Sequence, residues 1–175
     1  MKRYLQDAAA ALTPLTKGCC SMLDEGKCVY LATLGGLGMC PVAPATVGTF
    51  FVGIPVVWLM GFLPLVLAAL LLALIFGIGC HTAGETEKIF QRRDPQVVVI
   101  DELVGYMVTM IGLPVTGPSI LIGFAAFRLF DIWKPWPIRT MLHDRLEGGF
   151  AIVADDVGAG VYAHILTWAV LKVWG

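Results

Sequence analysis

The sequence predicts an all-α membrane protein, a polytopic helical bundle of about five crossings, with two hairpins, a final helix, a Gly/Pro-rich re-entrant loop and an N-terminal surface arm. Three observations predict it. Of 175 residues, 58% are hydrophobic and 14% charged, and the mean hydropathy is +0.81, which excludes a disordered chain and argues against a water-soluble domain. The charges fall in three blocks: 7 in residues 1–27, 8 from Glu85 to Glu102 and 9 from Arg128 to Asp156, with only Lys172 outside them. Uncharged stretches of 57 residues (28–84) and 25 residues (103–127) separate the blocks. A helix needs about 20 apolar residues to match a hydrocarbon core about 30 Å thick.

Residues 1–27 contain no apolar stretch of signal-peptide length, so they are expected to remain as a short cytoplasmic arm lying on the membrane surface. Residues 28–175 then form a single membrane-embedded domain. Within it, Gly35 to Thr49 is uncharged but rich in Gly and Pro. It has the character of a re-entrant loop lining a cavity, the setting in which irregular backbone is tolerated at membrane depth. Its backbone N–H groups and the Thr46 and Thr49 hydroxyls are candidates to meet an anion; a plain turn into the membrane is the alternative. No GxxxxGK or GxGxxG motif supports a nucleotide site.

The first hairpin is expected to have arms near residues 47–59 and 65–80, turning at Met60-Gly61-Phe62-Leu63-Pro64. His81 and Glu85, one helical turn apart, would end the second arm and supply either a further ligand or proton carrier, or a cap. Residues 103–127, interrupted by Gly112, Pro114, Gly117 and Pro118, allow one long crossing or a second hairpin with arms at 97–113 and 119–133; the hairpin is preferred because it keeps all the charged blocks on one side. These arms hold 17 and 15 residues, roughly 22 to 26 Å long at about 1.5 Å per residue. A final crossing is expected at 157–171, with Asp155 and Asp156 just before it.

The three charged blocks contain 4, 3 and 4 Lys/Arg, and the two hairpin tips contain none. By the positive-inside rule all three blocks face the cytoplasm, with the C-terminus on the other side. The net charge of −1 without a Lys/Arg-rich tract gives no sign of a nucleic-acid partner. The five cysteines, odd in number and without CxxC spacing, are read as reduced thiols.

Ionisable groups at the end of a membrane span are costly and mark function by default. Asp101 and Glu102 sit between apolar residues, Asp131 lies in Phe127-Arg128-Leu129-Phe130-Asp131, and Asp155 and Asp156 open the last run. The two-hairpin topology gathers all five at one membrane face. Packed carboxylates repel one another unless a cation neutralises them. Oxygen donors without clustered His or Cys suit Mg²⁺ or Mn²⁺ better than Zn²⁺. Salt bridges to Arg128, Lys134, Arg139 and Arg145, or helix caps, are the alternative. A carboxylate-held metal commonly serves phosphate chemistry. Arg128 as a bidentate clamp and Lys134 as a point charge are the candidate phosphate ligands.

Val99-Ile100-Asp101-Glu102-Leu103-Val104-Gly105, the segment from Phe127 to Ile138 (FRLFDIWKPWPI) and the segment from Gly148 to Gly160 (GGFAIVADDVGAG) resemble the three signature segments of the bacterial phosphatidylglycerophosphatase A family. Pro41 to Thr49 resembles that family's Pro-x-Ala-Pro-Gly-Thr-x-Gly-Ser segment, with Ala45 in place of the usual Gly and Thr49 where Ser is common. The resemblance runs from about Gly35 to Gly160. It implies Mg²⁺-dependent hydrolysis of phosphatidylglycerophosphate to phosphatidylglycerol and phosphate in the bacterial inner membrane. It also implies that Asp101, Glu102, Asp131, Asp155 and Asp156 form the metal and catalytic site, with Arg128 and Lys134 near the phosphate.

No Cys stands six residues before an Arg, and no DxDx(T/V) or Lys…Arg-Pro lipid-phosphatase motif occurs. Attack by a metal-activated water, with one carboxylate as general base, is therefore expected; an aspartyl-phosphate is the alternative chemistry. An ion- or proton-coupled carrier is the alternative function, and it would require polar groups across the full depth of the bundle.

Overall fold

Prolines and positive-φ residues set most of the helix limits in the computed structural model, which describes residues 25–136, 138 and 148–174. Six helices and no strand occur among the described residues. Most of the 1–27 arm, with Cys19 and Cys20, lies outside them; its last three residues open α1 (Glu25–Ala32). Leu34, Gly35 and Gly36 then take positive φ, and a 3-10 turn (Leu37–Met39) leads towards Ala43 at φ 45.

Helix α2 (Pro44–Met60) starts with Pro at its first position, where no N–H is required. It contains a π-type turn at Thr49–Gly53. The Gly/Pro-rich loop is thus shorter than the sequence suggested: Pro44 to Thr49 are already helical. Helix α3 (Leu65–Phe90) follows a turn ending at Pro64, as expected, but continues ten residues past Cys80. Nothing breaks it before Gln91 at φ 48. Thr82 and Thr86 donate to the carbonyls of Ile78 (2.9 Å) and Thr82 (2.7 Å), satisfying their hydroxyls within the helix. His81 and Glu85 therefore lie inside this helix, not at its end.

Helix α4 (Ile100–Met110) is shorter than the 17-residue arm read from the sequence. Val97 to Val99 are held outside it, with the Val99 N–H donating to Ala32 O at 2.9 Å. Gly112 at φ 73 stops it at the other end. Eleven residues span about 16 Å, half a hydrocarbon core. All of them except Val108 are buried, so α4 is the central rod of the bundle. Helix α5 (Gly117–Trp133) opens on a Thr116–Ser119 capping box and closes on Lys134 in the left-handed region, with Pro135 next. Helix α6 (Gly148–Trp174) begins nine residues earlier than expected. Asp155 and Asp156 accordingly sit two turns inside it.

Helices α3 and α6 are long and apolar enough to cross a membrane by length and composition. Leu65, Val66, Leu67, Leu70 and Leu74 leave α3 with an exposed apolar face. Helices α2 to α6 alternate in direction, as the residues at their ends show. Pro44 and Ala45, Asp101 and Glu102, Lys134 and Asp156 border one cavity, whereas Met60, Leu65, Met110 and Val115 border another at the opposite end.

Two glycines decide how closely the central pair packs. A Cβ on Gly105 would lie 2.5 Å from the Phe127 ring and 2.7 Å from Asp156 O, and one on Gly160 would collide with Gly105 O. Their bare backbones let α4 and α6 meet face to face, bringing the acidic pair of one helix against that of the other.

Candidate active site

The first turn of α4 supplies Asp101 and Glu102, the last turns of α5 supply Arg128 and Asp131, and Lys134 caps α5. Asp155 and Asp156 come from α6. Four of the carboxylates are deeply buried, with relative exposures of 7% (Asp101), 8% (Glu102), 2% (Asp155) and 3% (Asp156). A cavity of about 350 Å³ is lined by Asp101, Glu102, Asp131, Asp156 and Lys134. Asp155 faces a narrower neighbouring pocket, which it shares with Asp101 and Lys134.

Two cations knit the cluster together. Arg128 Nη1 lies 2.8 Å from Asp131 Oδ2 and 3.4 Å from Glu102 Oε1. Lys134 Nζ pairs with Asp155, and lies 3.4 Å from Asp156 Oδ1 and 3.8 Å from Asp131 Oδ1. Burial works to lower the Lys134 pKa, but Asp156, Asp155 and Asp131 outweigh it and hold the ammonium above its ordinary value. The surrounding carboxylates thus favour the cationic form of Lys134 at the cavity wall.

Asp101, Glu102, Asp131, Asp155 and Asp156 stand with Arg128 and Lys134, and the same pockets are bordered by Asp94, Glu87 and Arg93 as well, so carboxylates outnumber cations and the ionised cluster carries an excess of negative charge. That excess, in an oxygen-only donor set around an open cavity, fits a hard divalent ion such as Mg²⁺. Among the described residues, no three acidic, His or Cys side chains converge closely enough to hold an ion as they stand. Arg128 and Lys134 engage several of the same oxygens.

The other expected site residues are placed differently. Thr49 is fully buried, and its hydroxyl lies 3.0 Å from Ala45 O and 3.2 Å from Glu102 Oε2. It supports a carboxylate and does not line the cavity. Thr46 does not line it either; Pro41, Pro44 and Ala45 represent the loop there. His81 is exposed on α3, and Glu85 pairs with Lys88 at 2.7 Å. Neither reaches the cluster. Cys28, Cys40 and Cys80 form no disulfide.

Asp94 and Gln96 line the cavity and went unnoticed in the sequence. The only signal for them is Asp94-Pro95, a turn-forming pair just before the apolar segment that carries Asp101.

Comparison with known proteins agrees with this geometry. The family model described as Phosphatidylglycerophosphatase A matches residues 30–171, which include every residue of the acidic cluster. A phosphatidylglycerophosphatase A of Escherichia coli (strain K12) is 36% identical over 148 residues, covering 83% of this chain and 84% of the relative. One from Haemophilus influenzae is also 36% identical, over 81% of this chain and 88% of the relative. A protein of Bacteroides thetaiotaomicron named as a candidate phosphatidylinositol-3-phosphatase is 35% identical, over 79% of this chain and 89% of the relative. No solved structure matches the chain. Matched along most of its length and carrying the acidic cluster within the matched region, the chain belongs to the phosphatidylglycerophosphatase A family and is a phosphatase.

Proposed function

We propose that this protein hydrolyses phosphatidylglycerophosphate to phosphatidylglycerol and phosphate, with Mg²⁺, at the cytoplasmic face of a bacterial inner membrane. The observation that carries the reading is the cavity holding Asp101, Glu102, Asp131, Asp156 and Lys134 at one end of an apolar bundle. Names of the E. coli and H. influenzae relatives supply the lipid.

In this reading Asp101, Glu102, Asp131, Asp155 and Asp156 hold the metal among them. Bound Mg²⁺ supplies charge neutralisation on phosphoryl oxygens and makes a nearby water more acidic. The protein's own part is positioning and proton handling. Arg128 and Lys134, already at the carboxylates, receive the phosphoryl oxygens as the substrate enters. One of the buried acids of α4 or α6 accepts the proton of the attacking water. Phosphoryl transfer asks little more of a protein than orientation and charge stabilisation.

Aromatic side chains support the placement at a membrane surface. Trp133 and Trp136 are exposed on either side of Lys134. At the opposite end Trp58 and Phe62 are also exposed, with ring centroids 4.9 Å apart. Aromatic residues at both ends of an apolar bundle suit the two interfaces of a bilayer. The alternating run of α2 to α6 is compatible with five crossings; α4, too short to span alone, would traverse inside the other helices. A carrier would need polar groups at the far end as well, but the cavity there is lined by Met60, Gly61, Leu63, Leu65, Ala68, Met110, Gly112, Leu113 and Val115. Phosphate release from the pure lipid by detergent-solubilised protein, with Mg²⁺ and with excess chelator, tests the proposal. Release under neither condition from folded protein would overturn it.

A further inference from the structure

Asp94 and Gln96, to which the reading above gives no role, both face the carboxylate cavity. They flank Pro95, which is buried, while both of them are exposed. The segment bearing them is fixed at several points. The Val98 N–H donates to Pro95 O at 2.9 Å and the Val99 N–H to Ala32 O at 2.9 Å. Val97 O packs so closely on Gly38 that no Cβ would fit there. Asp94 itself is held at φ 48, a conformation Asp tolerates better than most residues. A carboxylate and a carboxamide are thus presented over the cavity by a braced turn.

The chemistry of that pair is selective. A carboxylate repels phosphate, and a carboxamide is neutral, so neither suits the phosphoryl group that Arg128 and Lys134 attract. Together they suit a hydroxyl: Asp94 accepts its proton and the Gln96 NH₂ donates to its oxygen. In the proposed substrate, the carbon next to the one bearing the terminal phosphate carries a free hydroxyl. With the phosphate at Lys134, a hydroxyl on the neighbouring carbon enters the space that Asp94 and Gln96 also border.

We propose that Asp94 and Gln96 are specificity residues that read the glycerol hydroxyl beside the phosphate to be removed, an inference that rests on the lipid-phosphatase reading above. They select the headgroup and do not take part in bond breaking.

The test is a cycle of two proteins and two lipids. Full-length wild type and an Asp94→Ala/Gln96→Ala variant are assayed in mixed micelles for kcat/KM. One lipid is phosphatidylglycerophosphate; the other is its deoxy analogue, with propanediol in place of glycerol. Wild type is expected to favour the hydroxyl-bearing lipid by about 10-fold or more, the range of a hydrogen bond to a charged group. The variant is expected to lose most of that preference. An equal loss on both lipids, or an unchanged preference, overturns this inference while leaving the phosphatase reading intact. Wild type inactive on both lipids overturns the two together.

Discussion

Thr49 on α2 and Glu102 on α4, 53 residues apart in sequence, meet at 3.2 Å through Thr49 Oγ1 and Glu102 Oε2. The π-type turn that starts at Thr49 makes room for the contact, since Gly53 on the same turn packs against Tyr106 of α4. Such turns recur at functional sites because they re-aim one side chain without ending the helix. With Arg128 on the other oxygen, Glu102 is held from two sides. Thr49→Val keeps the shape and removes the hydroxyl. It is expected to lower kcat by about 10- to 100-fold, the worth of a hydrogen bond to a charged group. Thr49→Ser is expected to retain most activity, and steady-state assays of the pair check the distinction.

Neutral isosteres of the buried acids separate chemistry from folding. Asp101→Asn, Glu102→Gln and Asp156→Asn are each expected to lower turnover by at least about 100-fold, with the helical circular dichroism and elution volume of wild type. Activity near wild type in all three would exclude these carboxylates from the site.

Lys134 has a structural part as well as a chemical one. Removing one partner of a fully buried ion pair costs about 3–5 kcal/mol. Lys134 keeps 24% of its side-chain exposure, so Lys134→Met is expected to cost less, about 2 kcal/mol. Added Mg²⁺ should recover part of that loss by neutralising the same carboxylates. Thermal melts in detergent, with and without the ion, measure both effects.

The glycine seam is a further point of failure. A methyl group at Gly160 would meet Gly105 O, and the backbones of α4 and α6 would have to separate. Gly160→Ala is expected to destabilise the bundle by about 1–3 kcal/mol and to lower activity by moving Asp155 and Asp156 away from Asp101 and Glu102. Gly117→Ala, with nothing within 4 Å of its Cβ position, serves as the control in the same melts and assays.

The hairpin turn at Gly61 to Pro64, the interruption at Gly112 to Gly117 and the grouping of the five acids were legible because Pro, Gly and isolated charges act locally. Helix lengths were not. Helix α3 runs on past Cys80, where Thr82 and Thr86 satisfy their hydroxyls on their own helix, and the Val99 N–H is taken by Ala32 O, outside the α4 ladder. The short interval 148–156, which opens on two glycines and closes on two aspartates, gave no sign that its acids would lie inside a helix. Thr49 was legible as a site residue but not in its role, because that depends on a helix turn whose geometry no motif encodes. Asp94 and Gln96 were invisible for a related reason: their place comes from packing of the turn against α1 and Gly38.

A metal-dependent phosphatase site at the acidic cluster would make turnover depend on both the ion and Asp101. The most direct test follows phosphate release from phosphatidylglycerophosphate by purified wild type and Asp101→Asn as Mg²⁺ is removed by chelator and then restored. Wild-type release that stops with chelator and returns with Mg²⁺, alongside negligible release by folded Asp101→Asn at every Mg²⁺ level, is the predicted result. Release that persists in chelator, or that Asp101→Asn matches, would contradict the account.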